Sequence, residues 1–283
     1  MIRPPALCYH RIGGPLELGV TRVASSVFVR QMTALAQAGW RTLTLEEFSR
    51  SASPYLFPVT RLSSAERTFL LTFDDGYAAL AETAYPVLAD LGFAATTFLV
   101  TDFIGRENLW DVRYTRHRLP HLDWPAIEAW QARGFDFGSH SATHRRLTWL
   151  KKPDLAEDLA RSRETLVRRL GAAAGRAIAY PFGAANQVVV ELARQTGFEL
   201  GFAGVWEAGN DPLQLSRLPV YSWDVGQVPA GLRPGPLGTV GRFVAHVANR
   251  CAVGTSLMLA LSRPFRRHPE TTPQGESQQD RAD

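Results

Sequence analysis

The run Thr68-Phe69-Leu70-Leu71-Thr72-Phe73-Asp74-Asp75-Gly76 decides how this 283-residue chain is read. A nearly continuous apolar stretch of that length predicts a strand covered on both faces, as parallel strands are when helices pack on either side. It stops abruptly in two carboxylates and a glycine. Barrels of alternating strands and helices collect their chemistry at that carboxyl end. Adjacent side chains of a strand point to opposite faces, so one aspartate could hold a metal ion while the other stays free to accept a proton. Taken alone, a strand-ending Asp-Asp-Gly is more often just a turn.

Outward from this run, short apolar stretches rich in β-branched or aromatic residues alternate with amphipathic ones. Strands are expected at 6–12, 43–45, 95–100, 135–138, 177–180, 200–203 and 215–221. Helices are expected at 26–38, 78–91 with a kink at Pro86, 124–132 capped by Asp123, 154–170, and 187–196 capped by Asn186, with a helical turn at 46–50. This alternation is the pattern of parallel βα units. Residues 51–65 read as a loop. Residues 101–122 are long, polar and aromatic, and a loop of that length in a compact domain is usually functional.

The formal charge of +4 is too mild, and too free of a recognisable motif, to indicate nucleic-acid binding. The arginines at 161–169 oppose a leucine stripe and read as a solvated helix face. Cys8 and Cys251 lie far apart and in no metal-binding spacing, which excludes a disulfide framework. Residues 1–7 show neither a basic region nor a long apolar core, so the expected compartment is the cytoplasm. The apolar stretch 236–262 is broken by Arg242, His246 and Arg250 and does not reach the roughly 20 residues of a membrane span. Followed by Arg263, Arg266 and Arg267, it could lie on the inner membrane face, although a packed helix is the simpler reading. Three regions follow: a catalytic domain over 1–230, a basic, partly apolar extension over 231–268, and a disordered tail over 269–283.

The second chemical signal is Ser139-His140-Ser141-Ala142-Thr143-His144, directly after a predicted strand. If 141–144 makes one helical turn, both imidazoles face the same side. With one carboxylate they make a two-histidine, one-carboxylate set that leaves positions open for water and substrate. A histidine pair at this spacing is weak evidence alone, but its position at a strand end brings it to the rim where Asp74 and Asp75 stand.

These two motifs resemble those of the polysaccharide deacetylases, the NodB homology domain of carbohydrate esterase family 4. The resemblance runs from Tyr9-His10-Arg11 through Tyr180-Pro181-Phe182-Gly183 to Arg217-Leu218-Pro219. It implies a distorted, incomplete (β/α) barrel, with Asp74 as the base and Asp75, His140 and His144 as metal ligands. It also implies a metal that polarises an acetamide carbonyl while Asp74 takes a proton from the attacking water. Zinc is the first expectation, with cobalt, nickel or iron not excluded by nitrogen and oxygen ligands.

Two features depart from much of the family. Where many members carry an arginine that orients the base, this chain has Ala179-Tyr180-Pro181-Phe182-Gly183, the form of the biofilm-polysaccharide branch. The partner that orients Asp74 is therefore open. The late general-acid histidine also has no clear counterpart, since only His246 and His268 come late. His10, ending the first strand, is the more attractive acid; a histidine satisfied by backbone is the even alternative. Tyr77, Tyr180, Pro181, Phe182 and Trp110 are candidate substrate contacts, with the backbone N–H near Tyr77 a second oxyanion donor; Trp206 and Trp223 could stack on sugar. His117 and His121 read as solvent-facing.

The expected activity is removal of the N-acetyl group from an N-acetylhexosamine in a polysaccharide, an oligosaccharide or a lipid-linked intermediate. The expected partners are that N-acetylated carbohydrate and glycan-biosynthesis or peripheral membrane components. Alternatives are removal of another small acyl group, a carbohydrate-binding protein without catalysis, and a membrane-associated scaffold.

Overall fold

The computed structural model describes residues 4–14, 20–52, 67–108, 119–204, 211–229 and 232. The extension and the tail lie outside them, apart from Leu232. Among the described residues no helix is long and apolar enough to cross a membrane.

The strands are β1 (Ala6–Tyr9), β2 (Arg11–Ile12), β3 (Arg22–Val23), β4 (Arg41–Thr42), β5 (Thr68–Phe73), β6 (Thr96–Leu99), β7 (Asp136–Ser139), β8 (Ala177–Ala179), β9 (Leu200–Ala203), β10 (Leu215–Ser216) and β11 (Leu218–Pro219). The helices are α1 (Ser25–Gln37), α2 (Leu45–Ala52), α3 (Ala79–Thr83), α4 (Tyr85–Asp90), α5 (Trp124–Gln131), α6 (Lys152–Leu170) and α7 (Gln187–Thr196). Nine strands form one parallel sheet in the order β10-β9-β8-β7-β6-β5-β1-β11, and β4 shares one edge of β5 with β6. This is a parallel sheet nearly closed into a barrel with helices outside, the (β/α) barrel expected from the sequence.

The wall residues alternate between two environments with the period of a strand. Phe69, Leu71 and Phe73 pack outward with α1, α3 and α4 residues such as Phe28, Met32, Leu80 and Leu88. Leu70 joins Ala6, Phe98, Ala177, Ala179, Leu200, Phe202 and Leu215 in a second cluster, the barrel filling. Gly138 makes room for that filling: a Cβ there would meet the Phe98 ring at 2.8 Å.

The sheet leaves its seam between β10 and β11, which pair with β9 and β1 and are separated only by Arg217. The single strand expected at 215–221 is thus two, because the chain changes edges there. The strand expected at 6–12 is also broken, with β1 in the barrel and β2 pairing β3 in a small second sheet. The strand expected at 43–45 is displaced. Thr44 and Glu47 cap each other, with the Thr44 hydroxyl accepting from the Glu47 N–H at 3.2 Å and the Glu47 carboxylate accepting from the Thr44 N–H at 2.9 Å, which starts α2 at Leu45. Pro86 does not kink a continuous helix: the break falls at Ala84, and the proline sits in the first turn of α4, where its missing N–H costs nothing.

Candidate active site

Strand β5 ends at Phe73, and the two carboxylates then part company through the backbone. Asp74 keeps the ladder, its N–H donating to the Tyr9 carbonyl at 2.9 Å. Asp75 has φ 71 and Gly76 φ 72, so the chain turns sharply and brings the second carboxylate round to the rim. At this positive φ glycine avoids backbone strain, and a Cβ at residue 76 would push on the Leu99 side chain at 2.6 Å.

Asp74 is buried and held by a fork of two hydrogen bonds from Arg217, Nη1 to Oδ1 and Nη2 to Oδ2, both 2.6 Å. The Arg217 Nη1 also donates to the Thr72 hydroxyl at 3.2 Å, and that hydroxyl donates to the Leu7 carbonyl at 2.6 Å. Burial alone would raise the Asp74 carboxyl, but the Arg217 guanidinium, with His140 assisting, holds it down at about 2. The group is therefore ionised throughout the neutral range. Arg217 thus occupies the place left open in the sequence, that of the partner orienting Asp74. Its signal was present in Arg217-Leu218-Pro219, but nothing in the spacing revealed that the arginine turns inward at the seam.

Asp75, His140 and His144 come together, with ligand atoms that all lie within 4.8 Å of one another. The Asp75 Oδ1 is 3.5 Å from the His140 Nε2 and 3.2 Å from the His144 Nε2. The His140 Nδ1 lies 2.7 Å from the Ala179 carbonyl, which can only accept, so the neutral ring carries its proton there. Its Nε2 lone pair then faces the Asp75 carboxylate with no hydrogen between them. Two acceptors converging in a buried site are what a cation resolves, and the residues present therefore fit a divalent metal. Burial lowers His140 to about 4, against the pull of Asp74, which keeps the ring neutral and able to ligate.

The helical turn that would put both imidazoles on one side is absent over 141–144. Ser141 and His144 have φ values of 65 and 56, and the loop is instead pinned by side chains. Asp158 of α6, buried, accepts from the Ala142 N–H at 2.8 Å and from the Thr143 hydroxyl at 2.6 Å, and the Ser141 hydroxyl accepts from the His144 N–H at 2.9 Å. Asp158 was not singled out in the sequence, where it reads as one more polar helix residue.

His10 lies at the break between β1 and β2, partly buried, with its ligand nitrogen within 4.8 Å of an Asp74 oxygen and of the Cys8 thiol. Its Nδ1 is buried and makes no hydrogen bond among the described residues. Backbone satisfaction, the alternative reading of this histidine, does not describe that nitrogen.

The candidate substrate contacts divide. The Phe182 ring, set by a φ of 62, lies 5.0 Å from the His144 ring and is partly exposed. Tyr77 is buried against His121, ring centroids 5.1 Å apart, and its hydroxyl accepts from the Asn108 amide at 3.2 Å. Tyr180 does not line a substrate surface: it is 0% exposed, and its hydroxyl donates to the Leu213 carbonyl at 3.0 Å because the ring completes the core beneath α7. Pro181 is buried too. Trp110, Trp206, His117, His246 and His268 lie outside the described residues. Trp223 is half-exposed beside Tyr221. His121, expected to face solvent, is buried, and its Nδ1 donates to the Asp75 carbonyl at 2.8 Å, supporting the turn that carries Asp75. Burial lowers it to about 4.

Residues 62–201 match the family model described as polysaccharide deacetylase. YxkH of Bacillus subtilis is 29% identical over 197 residues, which make up 70% of this chain and 63% of that protein. The poly-beta-1,6-N-acetyl-D-glucosamine N-deacetylase of Staphylococcus aureus is 25% identical over 213 residues, 70% of this chain and 71% of that enzyme. Among solved structures, IcaB from Ammonifex degensii superposes with a TM-score of 0.63 at 25% identity, over 76% of this chain and 91% of that one. The Streptococcus pyogenes deacetylase PplD superposes with a TM-score of 0.66 at 22% identity, over 79% of this chain and 94% of that one, and shares the fold.

Proposed function

We propose that this chain, which carries a polysaccharide deacetylase domain, is a metal-dependent hydrolase that removes the N-acetyl group from an N-acetylhexosamine of a glycan. The observation that carries the reading is the convergence, at one barrel rim, of an arginine-clamped carboxylate and a separate set of three ligating side chains. A protein that only binds carbohydrate has no use for this division of labour.

Asp75, His140 and His144 would hold a divalent ion, zinc first among those suited to the donor set, and it would supply Lewis-acid polarisation of the acetamide carbonyl. The chain's own groups do the rest. Asp74, ionised and fixed in direction by Arg217, accepts a proton from the attacking water. His10, with a ring nitrogen near Asp74, donates a proton to the amine as the C–N bond breaks, releasing acetate and a free amino sugar. The Phe182 ring beside His144 forms one wall for the sugar.

The test is acetate release by the purified chain from β-1,6-linked N-acetylglucosamine oligomers, before chelation, after it, and after zinc is restored. Release that disappears and returns with the metal supports the proposal. No release at confirmed metal occupancy, from these or other N-acetylated oligomers, would move the assignment to a different acyl group.

Asp158 offers a separate check. Asp158→Asn keeps one acceptor for the loop and replaces the other with a donor, so the Thr143 hydroxyl or the Ala142 N–H loses its partner. Zinc affinity is expected to fall by about tenfold to a hundredfold, measured by competition with a chromophoric chelator, while the protein stays folded.

A further inference from the structure

The arginines at 161–169 read in the sequence as a solvated face, but two of them line a cleft. Thr165, Arg168 and Arg169 of α6 face Trp124 at the start of α5 and Asp102 and Arg106 of the segment after β6, around a cavity of about 470 Å3. That is a common size for small-ligand clefts. Its charges do not balance. Asp102 is paired with Arg161 at 2.9 Å, and Arg169 with Glu128 at 2.8 Å. Arg106 and Arg168 have no ion-pair partner among the described residues, and both side chains are exposed to whatever enters. The Arg169 guanidinium lies 4.9 Å from the centre of the Trp124 ring, so the indole is already stacked on one side.

Two uncompensated guanidiniums beside a hydroxyl and an aromatic face select a planar-forked contact with a multiply charged oxyanion. A carboxylate brings one charge, whereas a phosphoryl group brings close to two and presents several oxygens to the forks. We propose that this cleft is a binding site for a phosphoryl anion, a phosphate ester or pyrophosphate group carried by a small molecule or a lipid. It is distinct from the carboxylate and histidine site but braced against it. The Thr101 N–H donates to the Ser141 carbonyl at 3.2 Å, and the Asp102 N–H to the Ala142 carbonyl at 3.1 Å, so the cleft rim holds the loop that carries His144. Binding here does not depend on the deacetylase reading and is measured without turnover.

The experiment is a calorimetric titration of the full chain with inorganic pyrophosphate, repeated with Arg106→Gln/Arg168→Gln. Affinity is expected to weaken by about tenfold for each guanidinium removed. Arg176→Gln/Arg194→Gln, which removes the same charge from exposed ion pairs elsewhere, is expected to bind as the wild type does. Thermal melting of both double variants verifies that each is folded. Co-sedimentation with phosphatidic acid vesicles, against phosphatidylcholine alone, separates the sources. Vesicle binding lost in the Arg106 and Arg168 variant supports a lipid headgroup, and pyrophosphate binding without vesicle binding supports a soluble ester. Failure of the wild type to bind either probe, equal weakening in both double variants, or equally tight binding of acetate would overturn the proposal.

Discussion

Arg217→Met is expected to reduce acetate release near neutral pH by about a thousandfold, the scale of losing a positioned proton acceptor. Arg217 and Asp74 are both buried, and each satisfies the other through two 2.6 Å contacts. Removing the guanidinium leaves burial opposed only by His140 and His10, and burial drives the carboxyl upward. The base is then protonated over more of the working range and is no longer aimed by the fork. The acidic limb of the kcat profile should therefore move to higher pH, with part of the lost activity returning as pH rises. Arg217→Lys, which keeps the charge and loses the fork, should fall between the two. Stability should drop as well, by about 3–5 kcal/mol, because one partner of a buried pair has been removed. A purely structural arginine would lower activity only in proportion to the unfolded fraction and leave the pH profile in place, and that result would refute the assignment.

The elements legible in the sequence are those whose cause is local. The β5 run, the α6 stripe and the α7 helix with its Asn186 cap are fixed by neighbouring residues, and the Asn186 side chain does accept from the Val189 N–H at 3.0 Å. The proposed base could be named from the end of β5. Its partner could not, because Arg217 lies 143 residues away and reaches Asp74 only once the sheet has curled and the chain has crossed the seam. The histidine pair shows the same limit in another form. Residues four apart do converge, but through two left-handed backbone positions stabilised by Asp158 and Ser141, not through a helical turn. His121 lies in a stretch that reads as an open loop, and it is buried because the Asp75 carbonyl gives its ring nitrogen a partner inside. Conversely, the Thr44 and Glu47 capping box was available in the sequence and starts α2 at Leu45, the last residue of the expected strand and one before the expected helical turn at 46–50.

The metal-free protein is expected to lose stability steeply as pH falls from about 6.5 to about 4. Burial holds His140 at about 4 despite the pull of Asp74, and it holds His121 at about 4 despite Asp75. An unfolded chain takes up those protons near 6.5, so across this interval the unfolded state binds more protons than the folded one. Stability therefore rises with pH through the window, is fully present above about 6.5, and is lost by about 4. Each imidazole contributes at most about 3 kcal/mol to the change. Asp74 adds a further step at lower pH: with its folded value near 2, its contribution is present above the ordinary carboxylate value and lost as pH falls toward 2. Urea midpoints of chelator-treated protein at several pH values between 7.5 and 4.5 give the slope, and His121→Leu should remove about half of the histidine part. Restored zinc should raise stability across the window above about 4, because His140 in the fold is already neutral there and gives up no proton on ligation. A midpoint that stays level from pH 7.5 to 4.5 would mean that the imidazoles titrate as freely in the fold as in water, and would overturn burial of His140 and His121 as the cause.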